Sequence, residues 1–192
     1  LRMLELAHRQ HGKLPWKALF APAIRLSEGG FKVSPRMHKM LAGETFLIKD
    51  PVAAAYFYDA AGKPWPVGHV LKNPALAATL REIAAGGADV FYTGRFARDI
   101  AAKVAAHPTN PGLLTARDIA DYRPKVRTPV CSDYRAYTVC GMPPPSSGGI
   151  AVAQMLGMFE TFDMKALAPK DGVPGADAVH VFSEVGRLAY AD

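Results

Sequence analysis

Along most of this chain apolar side chains recur every three or four residues, and only near residue 130 do they switch to alternation. The first residues, Leu1 to His8, lie inside an amphipathic pattern that predicts a helix to about Gln10, with Gly12 as a left-handed stop. Pro15 suits a first helical position. Trp16, Leu19, Phe20, Ala23, Ile24 and Leu26 then predict an apolar helix closed by Gly29-Gly30 and kinked or split at Pro22. Ser34-Pro35, Asp50-Pro51 and Asn73-Pro74 each set a capping side chain before a proline and so predict helix starts. The first carries Met37, Met40 and Leu41, with the methionines expected as core filling; the second carries Ala54, Tyr56 and Phe57; the third carries Leu76, Leu80 and Ile83 up to Gly86-Gly87. Ala61 to Lys72 reads as loop. A further helix carries Phe96, Ile100 and Val104, and Thr115 with Asp118 reads as a capping box opening a short one. Five or six helices are thus expected before the first strand.

Alternation begins at Arg127 and runs to Gly141. Val130, Ser132 and Tyr134, then Tyr137, Val139 and Gly141, predict two strands turning at Arg135-Ala136. A two-residue turn sets Tyr134 opposite Tyr137, Asp133 opposite Thr138, Ser132 opposite Val139 and Cys131 opposite Cys140. The cysteines then form a non-hydrogen-bonded pair with Cα atoms about 4.5 Å apart, at the short edge of disulfide geometry. Two reduced thiols filling a sheet face are the expectation, with a disulfide as the alternative. The hairpin feeds Gly141-Met142-Pro143-Pro144-Pro145-Ser146-Ser147-Gly148-Gly149, whose prolines make a stiff extended connector. Ile150, Ala153, Met155, Leu156, Phe159 and Phe162 follow at helical spacing, so the run reads as strand, rigid elbow, helix. After a loop from Pro169 to Gly175, Asp177 is expected to cap a last helix bearing Val179, Phe182, Val185 and Leu188. The fold class is α+β: a mainly helical region, one hairpin, and a helix pair. Because an isolated hairpin is marginal in water, Arg127 to Gly149 is expected to be the least self-sufficient part.

Composition agrees with a folded protein, since 49% of the 192 residues are hydrophobic and 21% charged. The net charge of +6 comes from scattered Lys and Arg residues, with no basic run interleaved with aromatics, which excludes a nucleic-acid groove of the usual kind. No apolar run approaches a membrane span, and no signal-peptide pattern opens the chain. Both ends fall inside helical patterns, so a fragment of a longer protein is expected.

The elbow is the candidate site. Ser146, Ser147, Gly148 and Gly149 place two hydroxyls and free N–H groups at a helix start, which suits an anion or a developing oxyanion. The commoner reason for such residues is structural, with a serine capping the helix and the glycines permitting close packing. A nucleophile elbow would read Gly-x-Ser-x-Gly, which this run does not. The six histidines are dispersed without metal-ligand spacing, so no metal and no cofactor are expected. His180 and Glu184 read as a surface pair on a helix, Asp118, Asp121, Glu160 and Asp163 as solvated acids, and the arginines of Tyr122-Arg123 and Tyr134-Arg135 as stacked surface pairs.

Several stretches resemble the large subunit of γ-glutamyltranspeptidases: Pro22-Ala23-Ile24-Arg25-Leu26 with Glu28-Gly29-Gly30-Phe31; Leu76 to Leu80 with Ile83-Ala84 and Gly87; Phe91-Tyr92-Thr93-Gly94; Leu114-Thr115 with Asp118-Ile119 and Tyr122; Tyr134-Arg135; Pro143 to Gly149; and Ala189-Tyr190-Ala191-Asp192. They fall in the family's order from end to end of the chain. The resemblance implies the middle of a large subunit in an N-terminal nucleophile hydrolase fold, made by a precursor that cleaves itself. It implies transfer or hydrolysis of γ-glutamyl groups of glutathione and related amides by a Thr at the new N-terminus.

That Thr is followed two residues later by His in the family, and no Thr here is. No catalytic residue is therefore assigned, and this chain alone is expected to be inactive. By the same resemblance, the substrate Arg precedes Leu1, and the oxyanion glycines and substrate serines follow Asp192. The family's pairs are not Ser146-Ser147 and Gly148-Gly149, which match the large-subunit elbow. Ala136 replaces the glycine usual in the family's hairpin turn. The implied partners are the rest of the large subunit, the small subunit and small γ-glutamyl substrates, in the periplasm or outside the cell if bacterial. Residues 1–126 would be the helical region, and 127–192 a hairpin, elbow and helix pair leaning on the sheet core. The alternatives are a cephalosporin or glutaryl acylase of the same fold and a free-standing helical binding module.

Overall fold

The computed structural model describes residues 1–191; Asp192, the last residue of the resemblance, lies outside them. The chain divides into two compact units, Leu1–Pro124 and the part from Lys125 onward.

In the first unit, α1 (Arg2–His11) precedes a 3-10 segment, Trp16–Phe20, and α2 (Ala21–Gly29). Pro22 sits in the first turn of α2, so the long apolar pattern is split, as a proline without N–H requires. Gly12 corrects the expected left-handed stop: its φ is −68° and its backbone extended. It is still sterically demanding, because a Cβ there would meet the His8 carbonyl oxygen at 2.5 Å. The proline-preceded starts behave as anticipated. Ser34 accepts from Met37 N–H at the start of α3 (Pro35–Ala42), Asp50 from Val52 and Ala53 N–H at α4 (Pro51–Phe57), and Asn73 from Leu76 N–H at α5 (Pro74–Gly86).

Two expectations about strands are overturned. Phe31–Lys32 (β1) pairs antiparallel with Val70–Leu71 (β2), so a strand precedes α3 and the segment from Ala61 to Lys72 is not all loop. Two residues per strand leave too short a period to be read as alternation. Gly30 makes the pairing possible: its φ of 85° suits glycine, and a Cβ would meet the Leu71 carbonyl oxygen at 2.6 Å. Beyond α5 lie α6 (Asp89–Thr93), which the pattern did not show, α7 (Arg95–Ala105) and α8 (Ala116–Ala120). Thr115 and Asp118 form the full reciprocal capping box of α8.

Ala77, Ile83, Ala84, Ala88, Tyr92, Phe96 and Ala97 are buried where α5, α6 and α7 follow one another, and Val33, Leu41, Tyr58 and Leu71 are buried near the small sheet. The buried Tyr58 hydroxyl is satisfied, donating to the Leu41 carbonyl at 3.1 Å. Met40 is not core filling; it is 64% exposed, while its neighbour Leu41 takes the buried place. Arg2 ties the unit together: Nη1 donates to the carbonyls of Ala120 and Tyr122 at 2.7 and 2.6 Å, and the guanidinium lies 4.3 Å from the Tyr92 ring centre.

In the second unit, β3 (Val130–Tyr134) and β4 (Tyr137–Gly141) pair in the register anticipated, from Tyr134 opposite Tyr137 to Val130 opposite Gly141. Arg135 takes the positive φ of the turn, 55°, and its N–H donates to Glu160 Oε1 at 2.8 Å. The cysteines correct the expectation of free thiols: Cys131 and Cys140 form a disulfide with Cα atoms 4.1 Å apart. The tight register that argued for strain instead holds both sulfurs in reach of each other. The helices α9 (Gly148–Phe159) and α10 (Ala176–Ala189) pack together, burying Ala151, Val185 and Ala189. Phe162 lies beyond α9, and Asp177 is in the first turn of α10 but does not cap it, Gly175 being the N-cap residue.

The class is thus α+β, mainly helical with two small antiparallel sheets. Among the described residues no helix is long and apolar enough to cross a membrane.

Candidate functional site

The elbow begins where β4 ends. Gly141 and Gly149 meet back to back: a Cβ on Gly141 would sit 2.6 Å from Gly149 Cα, and one on Gly149 would press on the Met142 carbonyl and, at 3.0 Å, the Gly141 carbonyl carbon. Side chains are excluded on both sides, so the strand end and the helix start touch through backbone alone. Between them the chain turns through Pro143 to Ser147, with a cis Pro144-Pro145 bond and Ser146 N–H donating to the Pro143 carbonyl at 3.2 Å.

Ser147 is the N-cap residue of α9, yet its side chain makes no cap hydrogen bond; its αR backbone (φ −76°, ψ −24°) departs from the extended form that aims a capping hydroxyl at the first turn. The expected serine cap is corrected accordingly. Ser147 acts through its carbonyl, which accepts from Ala151 N–H at 2.9 Å. Gly148 is exposed and has only Ser146 Oγ near its missing Cβ, at 3.9 Å, so the close approach belongs to Gly149.

Val139, Cys140, Gly141, Met142, Ser146, Gly148, Gly149, Val152 and Ala153 enclose a pocket of about 370 Å³. Ser146 lines it and Ser147 does not. The lining contains no His, Lys or carboxylate, and a serine hydroxyl without an adjacent base is a weak nucleophile. The pocket offers a hydroxyl and backbone groups.

The other sequence candidates fall apart in space or resolve into packing. The Arg135 guanidinium stands 5.1 Å from the Tyr134 ring centre, a stacked pair, and Arg123 donates to the carbonyls of Ala120 and Tyr122 at the end of α8. Glu184 pairs with Arg187 rather than His180: Arg187 Nη2 lies 2.5 Å from Glu184 Oε2, and this hydrogen bond holds the Glu184 carboxyl below its ordinary range. Among the described residues no group of three His, Cys, Asp or Glu side chains could hold a metal.

A second cleft, within the first unit and about 680 Å³, escaped the sequence reading because its residues are far apart in the chain. Phe46, Lys49, Asp50, Lys103 and His107 line it. Asp50 is held below the usual carboxylate range chiefly by the Ala53 N–H, with Lys103, 3.7 Å away, adding to the effect.

Over residues 1–192 the chain matches the family described as Gamma-glutamyltranspeptidase. It is 39% identical over 189 residues to the Glutathione hydrolase proenzyme of Escherichia coli (strain K12), a match covering 97% of this chain and 31% of that protein. It is 39% identical over 184 residues to the Acylase ACY 1 proenzyme of Pseudomonas sp. (strain SE83), covering 94% and 31%. Among solved structures, the Helicobacter pylori gamma-glutamyltranspeptidase superposes with a TM-score of 0.82 at 34% identity, covering 97% of this chain and 52% of that one. The cephalosporin acylase from Bacillus halodurans gives 0.78 at 32% identity, covering 98% and 34%. The chain spans about a third of the length of the curated relatives it matches.

Proposed function

Because this chain belongs to the gamma-glutamyltranspeptidase family, we propose that it is the middle part of the large subunit of a self-processing precursor that transfers or hydrolyses γ-glutamyl groups of glutathione and related amides. The observation that carries the reading is a family match along all 192 residues combined with coverage of only 31% of a relative named as a glutathione hydrolase. In this reading residues 1–126 form a helical region, and residues 127–192 lean on a sheet core supplied by the rest of the precursor. Large and small subunit remainders are the partners. The elbow positions α9 against β4 and is no catalytic centre, in keeping with the absence of a base in its pocket. Export to the periplasm or the exterior fits the Cys131–Cys140 disulfide, since such bonds persist in oxidising compartments.

A second reading, a side-chain acylase, is favoured by the equal 39% identity to an acylase proenzyme. One experiment separates them: assay the purified chain, and the longer precursor containing it, on γ-glutamyl and glutaryl anilides. The chain alone is expected to turn over neither, and the precursor to prefer the γ-glutamyl anilide. Preference for the glutaryl anilide establishes the acylase reading, and turnover by the chain alone overturns its placement as a noncatalytic part.

A further inference from the structure

The cleft of about 680 Å³ in the first unit falls within the size range of small-molecule sites. One wall comes from the 3-10 segment Leu47–Lys49 and its flanks, the other from the last turn of α7 and the loop after it. That loop is pinned: Gly112 N–H donates to the Val104 carbonyl at 3.0 Å, and Asn110 N–H donates to His107 Nδ1 at 3.0 Å. An accepting ring nitrogen bears no proton, which leaves the His107 ring proton on Nε2 as a donor. The charges in the lining do not cancel. Asp50 is fully engaged, since Oδ1 accepts from Val52 and Ala53 N–H at 3.0 and 2.9 Å and Oδ2 lies 3.7 Å from Lys103 Nζ. Lys49 has no carboxylate partner among the described residues; its ammonium stands 5.1 Å from the Phe46 ring centre. The uncompensated positive charge therefore sits beside an aromatic ring that is 75% exposed, with the rings of Pro51 and Pro108 as further apolar wall.

From this combination we propose that the cleft is a binding site for a small monoanion with a flat apolar body, an aryl carboxylate in chemical class. The carboxylate pairs with the Lys49 ammonium, and His107 Nε2–H is the second donor the lining offers it. The apolar body covers the Phe46 ring and takes its exposed area out of water, which supplies the attraction. The charge supplies the selection: a neutral ligand of the same shape forgoes the Lys49 interaction, and a cation is repelled by it. A second anionic group on the ligand would have to draw Lys103 away from Asp50, so one charge is what the lining accommodates. Binding involves no covalent step. It is independent of the γ-glutamyl reading and uses none of its residues.

The test uses the 192-residue chain, cinnamate as probe and cinnamamide as its neutral counterpart, each titrated in low salt while backbone amide shifts are followed. Cinnamate is expected to move the amides of residues 46–50 and 103–110 saturably, and to bind at least about threefold more tightly than cinnamamide. Lys49→Gln should weaken cinnamate by at least about threefold and leave cinnamamide unchanged. Phe46→Ala should weaken both ligands by about threefold or more. Both side chains are exposed, so neither substitution disturbs the core, and unchanged shifts outside the cleft verify that each variant is folded. Equal affinity for acid and amide, cinnamate binding indifferent to Lys49→Gln, the absence of saturable shifts, or saturable shifts placed instead at the apolar groove lined by Met37 and Met40 would each overturn the proposal.

Discussion

Gly149→Ala probes the backbone contact on which the elbow depends. The added methyl carbon would lie 3.0 Å from the Gly141 carbonyl carbon, 3.1 Å from the Met142 carbonyl carbon, and closer still to the Met142 oxygen. These are backbone atoms at the end of a paired strand, with no flexible tip that could yield. Forcing a carbon into a filled site costs roughly 1–3 kcal/mol. Replacing glycine lowers the entropy of the unfolded chain and returns about 0.4–1 kcal/mol. The net expectation is a loss of about 1–2 kcal/mol from the second unit, from these two opposing effects.

Gly157→Ala on the same helix is the control, because nothing lies within 4 Å of its missing Cβ; there the same substitution should stabilise by roughly 0.5–1 kcal/mol. Both tryptophans, Trp16 and Trp65, lie in the first unit, so their fluorescence does not report on α9. Native-state hydrogen exchange of the amides of Ala153 to Phe159 does. Equal protection in the two variants would refute the argument from close contact.

Three further outcomes follow from the same structure. Arg2→Lys keeps the charge but loses the planar group whose Nη1 reaches two carbonyls while its Nε donates to Asp89 and its carbon lies over Tyr92; it should cost the first unit about 1–3 kcal/mol, and a change within about 0.5 kcal/mol, the scatter expected of plain surface substitutions, in urea unfolding would show the clamp to be idle. Ser132 Oγ is buried without a partner, so Ser132→Ala should stabilise the second unit by about 1 kcal/mol; a lower melting temperature would mean that the hydroxyl has a use. The Thr115 hydroxyl, then its N–H, lower the Asp118 carboxyl below its ordinary value. A carboxylate lowered in the folded state stabilises it above the unfolded pKa, and that contribution is lost as pH falls through the folded pKa. A chemical-shift titration should thus find Asp118 ionised at a pH where an ordinary Asp is half protonated, and Thr115→Val, which removes the hydroxyl but keeps the N–H, should shrink the difference; a midpoint at or above the ordinary value in the unsubstituted chain would contradict the capping box.

What the sequence determined by itself is whatever depends on neighbours within a few residues. Ser34, Asp50, Asn73 and Thr115 cap the next turn wherever the helix ends up, so their roles were legible, and the two-residue turn at Arg135-Ala136 set the whole hairpin register. The order of quoted stretches was enough to point to the family that the whole chain matches. The tertiary structure decided what depends on distant chain meeting distant chain. Phe31–Lys32 becomes a strand only because Val70–Leu71 lies beside it. Ser147, spelled like a cap, does not cap, because its αR backbone does not present the hydroxyl to the first turn of α9. Gly149 is required by the carbonyls of Gly141 and Met142, and Gly148, adjacent in sequence, has open space. The pairing of Cys131 with Cys140 could be read from the register, but their bonding could not. A one-dimensional pattern records which groups are present and their local period; which atoms come within van der Waals reach is settled only when separate elements pack.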